Sequence, residues 1–477
     1  MQIWYFNFFQ SGKKLRVRKY LIAALGIIPL FCTGCRRTDS LFPIVDEPLP
    51  SIIQKDEPSK DSTAVTSPVL NTNWGDAIVL PGIPARSFAI ADFGAITNAE
   101  DNAASIQKAI DSAAKVGGGM VVVPAGTYNC GPLKLKSNVG LQISEGAILK
   151  VLPYEAYPGA GSTASVASFI DLTGTTNVWV GGQGMIDGQG AAWWTAYRAT
   201  KPTGGIARPA MIAFDKADTV EVAGITIQNA PNGHISVHRG NKNVTISGVT
   251  LSSPDDSPNT DGIDVWSPYV NILNCNISCG DDNIAMNNDT KYVTIADCTF
   301  GKGHGLSIGS YTSNIDHIYV HNCVFNGTDN GVHIKSSRGR SGIVAYLVYE
   351  NLTMTGVSTP INICEYYPDN TIPSSATADH SEVVTTSTPV WRRIVFKDFL
   401  VTGAQNAGLL WAVPEMHMKG LIFDNVHISA KTGMKANYID SVAFINGSKI
   451  AVSSGKAFVS TYASSISGID LSTGAPE

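Results

Sequence analysis

Acidic side chains beside turn residues are the first feature of this sequence that could do chemistry. Asp281 and Asp282 are adjacent in the stretch "GDD", and His304 stands between two glycines in "GHG". Asp261 lies in a turn, within "SPNTDGIDVW". Glycine at these positions leaves room for a ligand close to the backbone. Such residues could hydrolyse a glycosidic bond, since one carboxylic acid can protonate the leaving oxygen while a second carboxylate activates water.

Each of these residues also has a structural interpretation. A turn aspartate commonly serves through bonds from its side chain to the backbone, and Asp and Asn stack at the turns of β-solenoids. A cluster is harder to explain in this way, because neighbouring carboxylates raise one another's pKa values at a cost in stability. The catalytic interpretation therefore depends on whether the fold brings the residues together.

Motifs for other chemistries are not found. The sequence contains no phosphate-binding loop and no dinucleotide fingerprint, and its GxSxG match, at Gly305 to Gly309, does not stand between a strand and a helix as a nucleophile motif requires. The cysteines that follow the N-terminal segment show no metal-binding CxxC spacing, so a zinc site is not indicated. They are Cys130, Cys275, Cys279, Cys298, Cys323 and Cys364.

A repeat of 23 to 29 residues must position these side chains. Its copies share the pattern apolar-x-apolar-x-x-apolar-x-apolar, and they contain no helical segment. A period of this length, built from short strands and turns, is typical of a solenoid. We therefore predict an all-β, single-domain, right-handed parallel β-helix in which each copy forms one coil. The copies begin at Val220, Val244, Val270, Val293, Ile318 and Leu347, with weaker ones at Val178, Ile394 and Leu421.

The register of the repeat predicts an interior column and an exterior one. The interior column contains three cysteines acting as small hydrophobes, with disulfides among them as the alternative. The exterior column brings Asp281, Asp282 and His304 together, with Asp261 and Lys335 on the same face. The same count places Asp255 and Asp256 in this column. The interior residues are Ile225, Val249, Cys275, Cys298, Cys323 and Leu352.

The N-terminal part divides into three segments. Residues 1–35 resemble a lipoprotein export signal, with a basic stretch, a short apolar core and Cys35 as the acylated residue. Plain secretion and an uncleaved anchor are the alternatives. Residues 36–83 are rich in Pro, Ser, Asp and Lys, which predicts a disordered linker. Residues 84–477 form the β-helix, and an Ala-rich stretch from Asp101 to Val116 predicts a short helix that caps its N-terminal end.

The charge balance limits the possible partners. The chain of 477 residues has a formal net charge of −5, and residues 1–35 contribute five positive charges and no acidic ones, which leaves −10 for the remainder. Such an acidic chain is a poor nucleic-acid binder. We expect a monomer that meets a membrane only through the lipid anchor, at the bacterial cell envelope or secreted.

Four ordered motifs resemble the signature blocks of one family. "SPNTDGID" begins at Ser257, "CGDD" at Cys279, "GHGLSIGS" at Gly303 and "GVHIKS" at Gly331. In this order they resemble the polygalacturonases of glycoside hydrolase family 28, and the similarity spans about Phe88 to Lys431. The resemblance implies a right-handed β-helix that hydrolyses α-1,4-galacturonan in pectin with inversion, without a metal or another cofactor.

The resemblance also implies residue roles. Asp281 would be the general acid, while Asp261 and Asp282 would hold and activate the water. His304 would orient or tune the acid through hydrogen bonds.

Substrate contacts are implied for a second set of residues. Asn259 would contact the sugar, and Lys335 would bind its carboxylate as a point charge. Tyr367 resembles a late tyrosine of the family near the cleavage point, with Tyr366 as the competing choice.

One position departs from the family pattern. The last block usually reads Arg-Ile-Lys, whereas this chain has His333 before Ile334 and Lys335. A histidine offers one donor where arginine offers a bidentate fork to a carboxylate. Arg338 and Arg340 lie just beyond and could compensate, although a solvated turn explains them equally well.

The alternatives follow from this departure and from the fold. His333 favours a rhamnogalacturonan hydrolase, or another pectin-backbone hydrolase, as the second hypothesis. A Ca²⁺-dependent pectate lyase would hold its ion on clustered aspartates. In a non-catalytic β-helix adhesin, the acidic column would be turn structure.

Overall fold

The computed structural model describes residues 78–368 and 371–477. The expected export signal, its Cys35 and most of the expected linker lie outside the described residues. No helix in the described ranges is both long and apolar enough to cross a bilayer.

Short strands separated by turns make up nearly all of the described chain, in agreement with the β-branched repeats of the sequence. Four short 3-10 helices are also present, at Ile90–Phe93, Tyr154–Ala156, Lys201–Thr203 and Ala376–Ala378. In chain order the strands and α-helices are β1 (Ser87–Ala89), α1 (Ala103–Lys115), β2 (Gly119–Val123), β3 (Gly126–Cys130), β4 (Leu133–Lys134), β5 (Val139–Ile143), β6 (Ala147–Val151), β7 (Ile170–Asp171), β8 (Thr176–Gly182), β9 (Met185–Asp187), α2 (Gly190–Thr200), β10 (Ile212–Phe214), β11 (Asp218–Ala223), β12 (Thr226–Gln228), β13 (Ile235–Val237), β14 (Lys242–Ser247), β15 (Thr250–Ser252), β16 (Ile263–Val265), β17 (Val270–Leu273), β18 (Asn276–Ser278), β19 (Ile284–Met286), β20 (Lys291–Ala296), β21 (Thr299–Phe300), β22 (Leu306–Ile308), β23 (Ile315–Asn326), β24 (Asn330–Lys335), β25 (Ile343–Thr355), β26 (Thr359–Cys364), β27 (Val390–Trp411), β28 (Met418–Ile445) and β29 (Lys449–Ser467).

The strands stack in three parallel columns, and each coil contributes one strand to each column. The first column runs through β2, β5, β8, β11, β14, β17 and β20. The second runs through β3, β6, β9, β12, β15, β18 and β21. The third runs through β4, β7, β10, β13, β16, β19, β22, β24 and β26. This arrangement is the predicted right-handed parallel β-helix.

The predicted register of the coils is confirmed residue by residue. The first apolar residue of each copy pairs with the first of the next, because identical pleats let the inward side chains stack. From β23 onward, one long strand bends through the first two columns and pairs with both β20 and β21. The paired residues are Val178, Val220, Val244, Val270, Val293, Ile318, Leu347, Ile394 and Leu421.

The interior cysteine column is also confirmed. Cys275, Cys298 and Cys323 are buried thiols that form no disulfide. The backbone amide of Cys275 lies 3.4 Å from the Sγ of Cys298, as expected for neighbours on successive coils. The cysteines therefore serve as small hydrophobic core residues.

Two helices flank the coils, and only the first was predicted. Helix α1 buries Ile106 and Ile110 against the first coil and caps the N-terminal end of the β-helix. Helix α2 is an addition to the predicted fold. It lies between β9 and β10 and buries Trp193 and Trp194, and the Nε1 of Trp194 donates to the carbonyl of Ala230 at 3.0 Å. Its Ala-rich stretch is too short to give a clear helical period.

Candidate active site

The loops that enter the third column carry the acidic residues. Asp261 precedes β16, Asp281 and Asp282 precede β19, and His304 precedes β22. Close backbone packing fixes these loops. A Cβ atom at Gly280 would lie 2.2 Å from the carbonyl oxygen of Ser257, so only glycine fits there. The register thus brings Asp281, Asp282 and His304 together, as the repeat predicted.

Asp282 and Lys335 form a buried ion pair. The Nζ of Lys335 donates to Oδ1 and Oδ2 of Asp282 at 2.9 and 2.8 Å. Ser307 Oγ donates to the same Oδ1 at 2.5 Å. Burial alone would lower the pKa of Lys335, but the attraction and hydrogen bonds of Asp282 outweigh it and raise that pKa. Lys335 is therefore charged and already engaged with a carboxylate.

Asp281 and His304 form a second, more exposed pair. His304 Nδ1 lies 3.1 Å from Asp281 Oδ1, and Asn259 Nδ2 donates to Asp281 Oδ2 at 3.1 Å. Burial would raise the pKa of Asp281, yet the hydrogen bond and charge of His304, with the charge of Lys335, bring it below its usual value. The hydrogen bond to Asp281 raises the pKa of His304 in turn. Between the two pKa values, these directions leave the carboxylate of Asp281 ionised and the proton on the imidazole of His304.

Asp261 belongs to a carboxylate pair that the sequence did not reveal. Burial, followed by repulsion from Asp264, Asp281 and Asp282, raises the pKa of Asp261 well above its usual value. Burial raises the pKa of Asp264 to about 6, although hydrogen bonds from Asp261 and Ser236 oppose the rise. The pair therefore tends to retain a proton. The alternation in "GIDVW" was the available signal, because it points Asp264 outward between two inward side chains.

A buried histidine fixes the turn at Asp261. His234 donates through its backbone amide and through Nδ1 to the carbonyl of Asp261, at 2.9 Å each. Its Nε2 accepts from Ser253 Oγ at 3.1 Å. Burial lowers the pKa of His234, so it acts as a neutral donor and holds the turn at all ordinary pH values. No motif in the sequence indicated this role.

Arg208 orients Asn259. The guanidinium donates to Asn259 Oδ1 at 3.0 Å and lies 3.8 Å from the ring centroid of Tyr197 on α2. Because Oδ1 accepts from Arg208, the amide nitrogen of Asn259 faces Asp281. The unpredicted helix thus supports the site indirectly.

A groove of ≈ 300 Å³ lies above these residues. Asn259, Asp261 and Asp281 line it together with three aromatic residues. Tyr367 lines the groove, whereas Tyr366 is buried and donates its hydroxyl to Asp379 Oδ2 at 2.5 Å. The aromatic residues are Trp266, Tyr311 and Tyr367.

His333 lies beneath the groove rather than in it. Its side chain is buried, and its Nδ1 lies 3.4 Å from Ser307 Oγ. Burial and the charges of Lys335 and His304 lower its pKa well below the usual value, so the imidazole is neutral.

The prediction that Asp255 and Asp256 lie in the same column as Asp281 is wrong. Both are exposed and neither lines the groove, and Asp256 instead lies 3.3 Å from Arg198 on α2. The loop between β15 and β16 is longer than the loops of the next coils, so counting from the strand placed the wrong aspartates beside Asp281.

Ligand atoms of Asp281, Asp282 and His304 lie within 4.8 Å of one another, which is close enough to consider a cation. Lys335 already binds both oxygens of Asp282, however, and the raised pKa of His304 favours the protonated ring, which cannot ligate a metal. The arrangement therefore suits proton transfer better than metal binding.

Paired carboxylates in an open groove on a parallel β-helix define a glycoside hydrolase. The family model for "Glycosyl hydrolases family 28" matches residues 115–448. The chain belongs to this family.

Known relatives and solved structures agree with this classification. The chain is 31% identical over 330 residues to a probable polygalacturonase of Arabidopsis thaliana, covering 67% of this chain and 68% of the relative. It is 32% identical over 321 residues to an endo-polygalacturonase of Pectobacterium carotovorum, covering 62% and 76%. The solved polygalacturonase from Erwinia carotovora superposes with a TM-score of 0.65 at 26% identity, covering 77% of this chain and 99% of that one.

Proposed function

We propose that this chain hydrolyses the α-1,4-galacturonosidic bonds of pectin with inversion of configuration. One observation carries the proposal: Asp261, Asp281 and Asp282 converge with His304 on one groove, within a family whose similar members are named polygalacturonases. The substrate is a polysaccharide.

The roles follow from the contacts. Asp281 donates a proton to the leaving oxygen, and His304, whose Nδ1 lies 3.1 Å from Asp281 Oδ1, supplies that proton to Asp281. Asp282, with its oxygens fixed by Lys335 and Ser307, accepts the proton of the attacking water. Asp261 lies in the same groove and holds the water in place. Inverting enzymes generally hold the acid and base about 6.5–9.5 Å apart, whereas carboxylate oxygens of Asp281 and Asp282 lie within 4.8 Å of each other. The anomeric configuration of the first product therefore tests inversion directly.

Product analysis tests the reaction class. We expect polygalacturonate to yield new reducing ends without an unsaturated, ultraviolet-absorbing product, and we expect activity to survive a chelator. An absorbing product that disappears with chelation would instead identify a Ca²⁺-dependent lyase. Membership of a hydrolase family does not favour the lyase or the non-catalytic adhesin.

Rhamnogalacturonan, or another pectin backbone, is the second candidate substrate. The buried, neutral His333 favours it, because this residue cannot act as the charged fork expected for galacturonate recognition. Chromatography of products from polygalacturonate and from rhamnogalacturonan, followed over time, separates the two candidates. Faster release of products from rhamnogalacturonan would contradict the first proposal.

We further propose an exported, lipid-anchored monomer. The signal-like residues 1–35, with acylation at Cys35, and the polar residues 36–83 would tether a single catalytic domain of residues 84–477 to the cell envelope. Fatty-acid labelling in a bacterial host should be lost in Cys35→Ala. Labelling that persists in this variant would contradict acylation at Cys35.

A further inference from the structure

We propose that Arg340 binds a carboxylate of the polysaccharide in the groove beside Tyr367, and that it thereby makes the chain selective for an acidic sugar at that subsite. This inference rests on the proposed function, since it names a recognition residue of the same groove.

Two cations close to Arg340 in the sequence, Lys335 and Arg338, have carboxylate partners. Lys335 is bound to both oxygens of Asp282. Arg338 donates Nε and a terminal nitrogen to the two oxygens of Glu415, at 2.6 and 2.7 Å. Such a two-bond pair leaves little of the fork for a ligand. The charge of each residue is therefore already balanced by an internal carboxylate, although Lys335 lines the groove and keeps a third N–H donor.

His333 cannot supply the missing recognition. Its ring is buried and uncharged. In the third column, His333 on β24 pairs with Ser307 on β22 of the neighbouring coil. A neutral imidazole at this depth offers a carboxylate neither charge nor a fork of donors.

Arg340 has both the position and the free donors. Its guanidinium carbon lies 4.9 Å from the ring centroid of Tyr311 and 6.0 Å from that of Tyr367. One terminal nitrogen donates to Ser310 Oγ at 3.1 Å. Ser310, Tyr311 and Tyr367 all line the groove, and the guanidinium of Arg340 lies against these three residues, next to the groove lining.

The charge of Arg340 is not neutralised by the protein. Within residues 78–368 and 371–477, no carboxylate lies within 4.0 Å of its nitrogens, in contrast to Arg338. A guanidinium has five N–H donors in a planar fork that matches a carboxylate. Its contact with Tyr311 restrains the fork, so less freedom is lost on binding. An acidic polysaccharide supplies the anion that this position lacks.

The first test compares steady-state kinetics on polygalacturonate. Arg340→Gln should raise KM about tenfold, the loss expected for one hydrogen bond to a charged group, with little change in kcat. Arg340→Lys should recover part of this loss because it keeps the charge but not the fork. The matched control is Arg393→Gln, since Arg393 on β27 lies 5.0 Å from the ring of Tyr346, a tyrosine that does not line the groove. We expect this control to leave KM unchanged.

The second test separates charge recognition from packing. Binding of short galacturonate oligomers and of their methyl esters is measured on Asp281→Asn chains, with and without Arg340→Gln. Arg340→Gln should weaken binding of the acid and leave binding of the ester unchanged. An unchanged KM, or an equal loss for acid and ester, would overturn the inference. A wild-type chain that does not cleave polygalacturonate would defeat the proposed function itself, which is a separate outcome.

Discussion

Lys335 on β24 reaches across two coils and binds both carboxylate oxygens of Asp282, at a depth where the two residues are 6% and 4% exposed. This ion pair fixes one catalytic carboxylate and neutralises part of the acidic cluster. It also gives Lys335 an internal partner, the carboxylate that we assign as the base, while its contact with the sugar stays a prediction, since Lys335 lines the groove.

Removing one partner of this pair should destabilise the fold. Lys335→Met leaves the Asp282 carboxylate buried without its counter-charge, which typically costs about 3–5 kcal/mol. The free energy of unfolding, measured with urea, should fall by this amount. The double variant Lys335→Met/Asp282→Asn should recover a large part of the loss while remaining inactive. A double variant no more stable than Lys335→Met would show that the cost comes from packing rather than from an unpaired charge.

Replacing the proposed acid should abolish turnover without unfolding the chain. Asp281→Asn keeps the shape of the side chain but removes the proton donor, so kcat should fall at least about 10²-fold, as for other general acids. Asp256→Asn is the matched control, because this aspartate is exposed and outside the groove. Reducing-end assays on both variants give the comparison. Undiminished hydrolysis by a folded Asp281→Asn chain would remove Asp281 from the mechanism.

The pair of Asp281 and His304 predicts a window of pH for stability. The pKa of His304 is raised, so its contribution is complete below the unfolded value of about 6.5 and is lost as the pH rises through the folded value. The pKa of Asp281 is lowered, so its contribution is complete above about 3.9 and is lost as the pH falls through its folded value. The pair should therefore stabilise the fold most between these two limits.

The alkaline side of the pH–activity profile should follow the titration of His304. Because His304 supplies the proton, kcat/KM should decline above pH 6.5 as the imidazole loses it. His304→Asn should lower activity and flatten this decline. An NMR titration of the imidazole gives the folded pKa directly. A value below 6.5 would contradict the predicted direction.

Asp264 should oppose stability as the pH rises. The folded pKa of Asp264, about 6, exceeds its usual value, so the native state disfavours the ionised carboxylate. Protonated Asp264 therefore stabilises the native state at low pH, and this contribution is lost as the pH rises toward 6. Asp264→Asn should therefore lose less stability than the wild-type chain between about pH 4 and 6. Unfolding measured at several pH values tests this difference. Parallel curves for the two chains would show that Asp264 does not titrate in this range.

The sequence by itself determined the repeating coil and which side chains face its interior. A period near 25 residues with a constant apolar pattern dictates which side chains face inward, because parallel strands pair in register. The β-helix, the cysteine column and the meeting of Asp281 with His304 all follow from this register. Those features depend on strand pairing, which repeats from coil to coil.

The tertiary structure decided what the loops and long side chains do. Asp255 and Asp256 were misplaced because loop lengths differ between coils, and α2 was missed because its helical stretch is short. The partner of Arg338 is Glu415, more than seventy residues away, and no local pattern indicates this pair. Burial made His333 neutral, while Arg340 has no carboxylate partner among the residues that the structure describes. Whether a side chain is charged, and whether it can bind a ligand, depends on the groups that surround it. Residue spacing alone does not fix those surroundings.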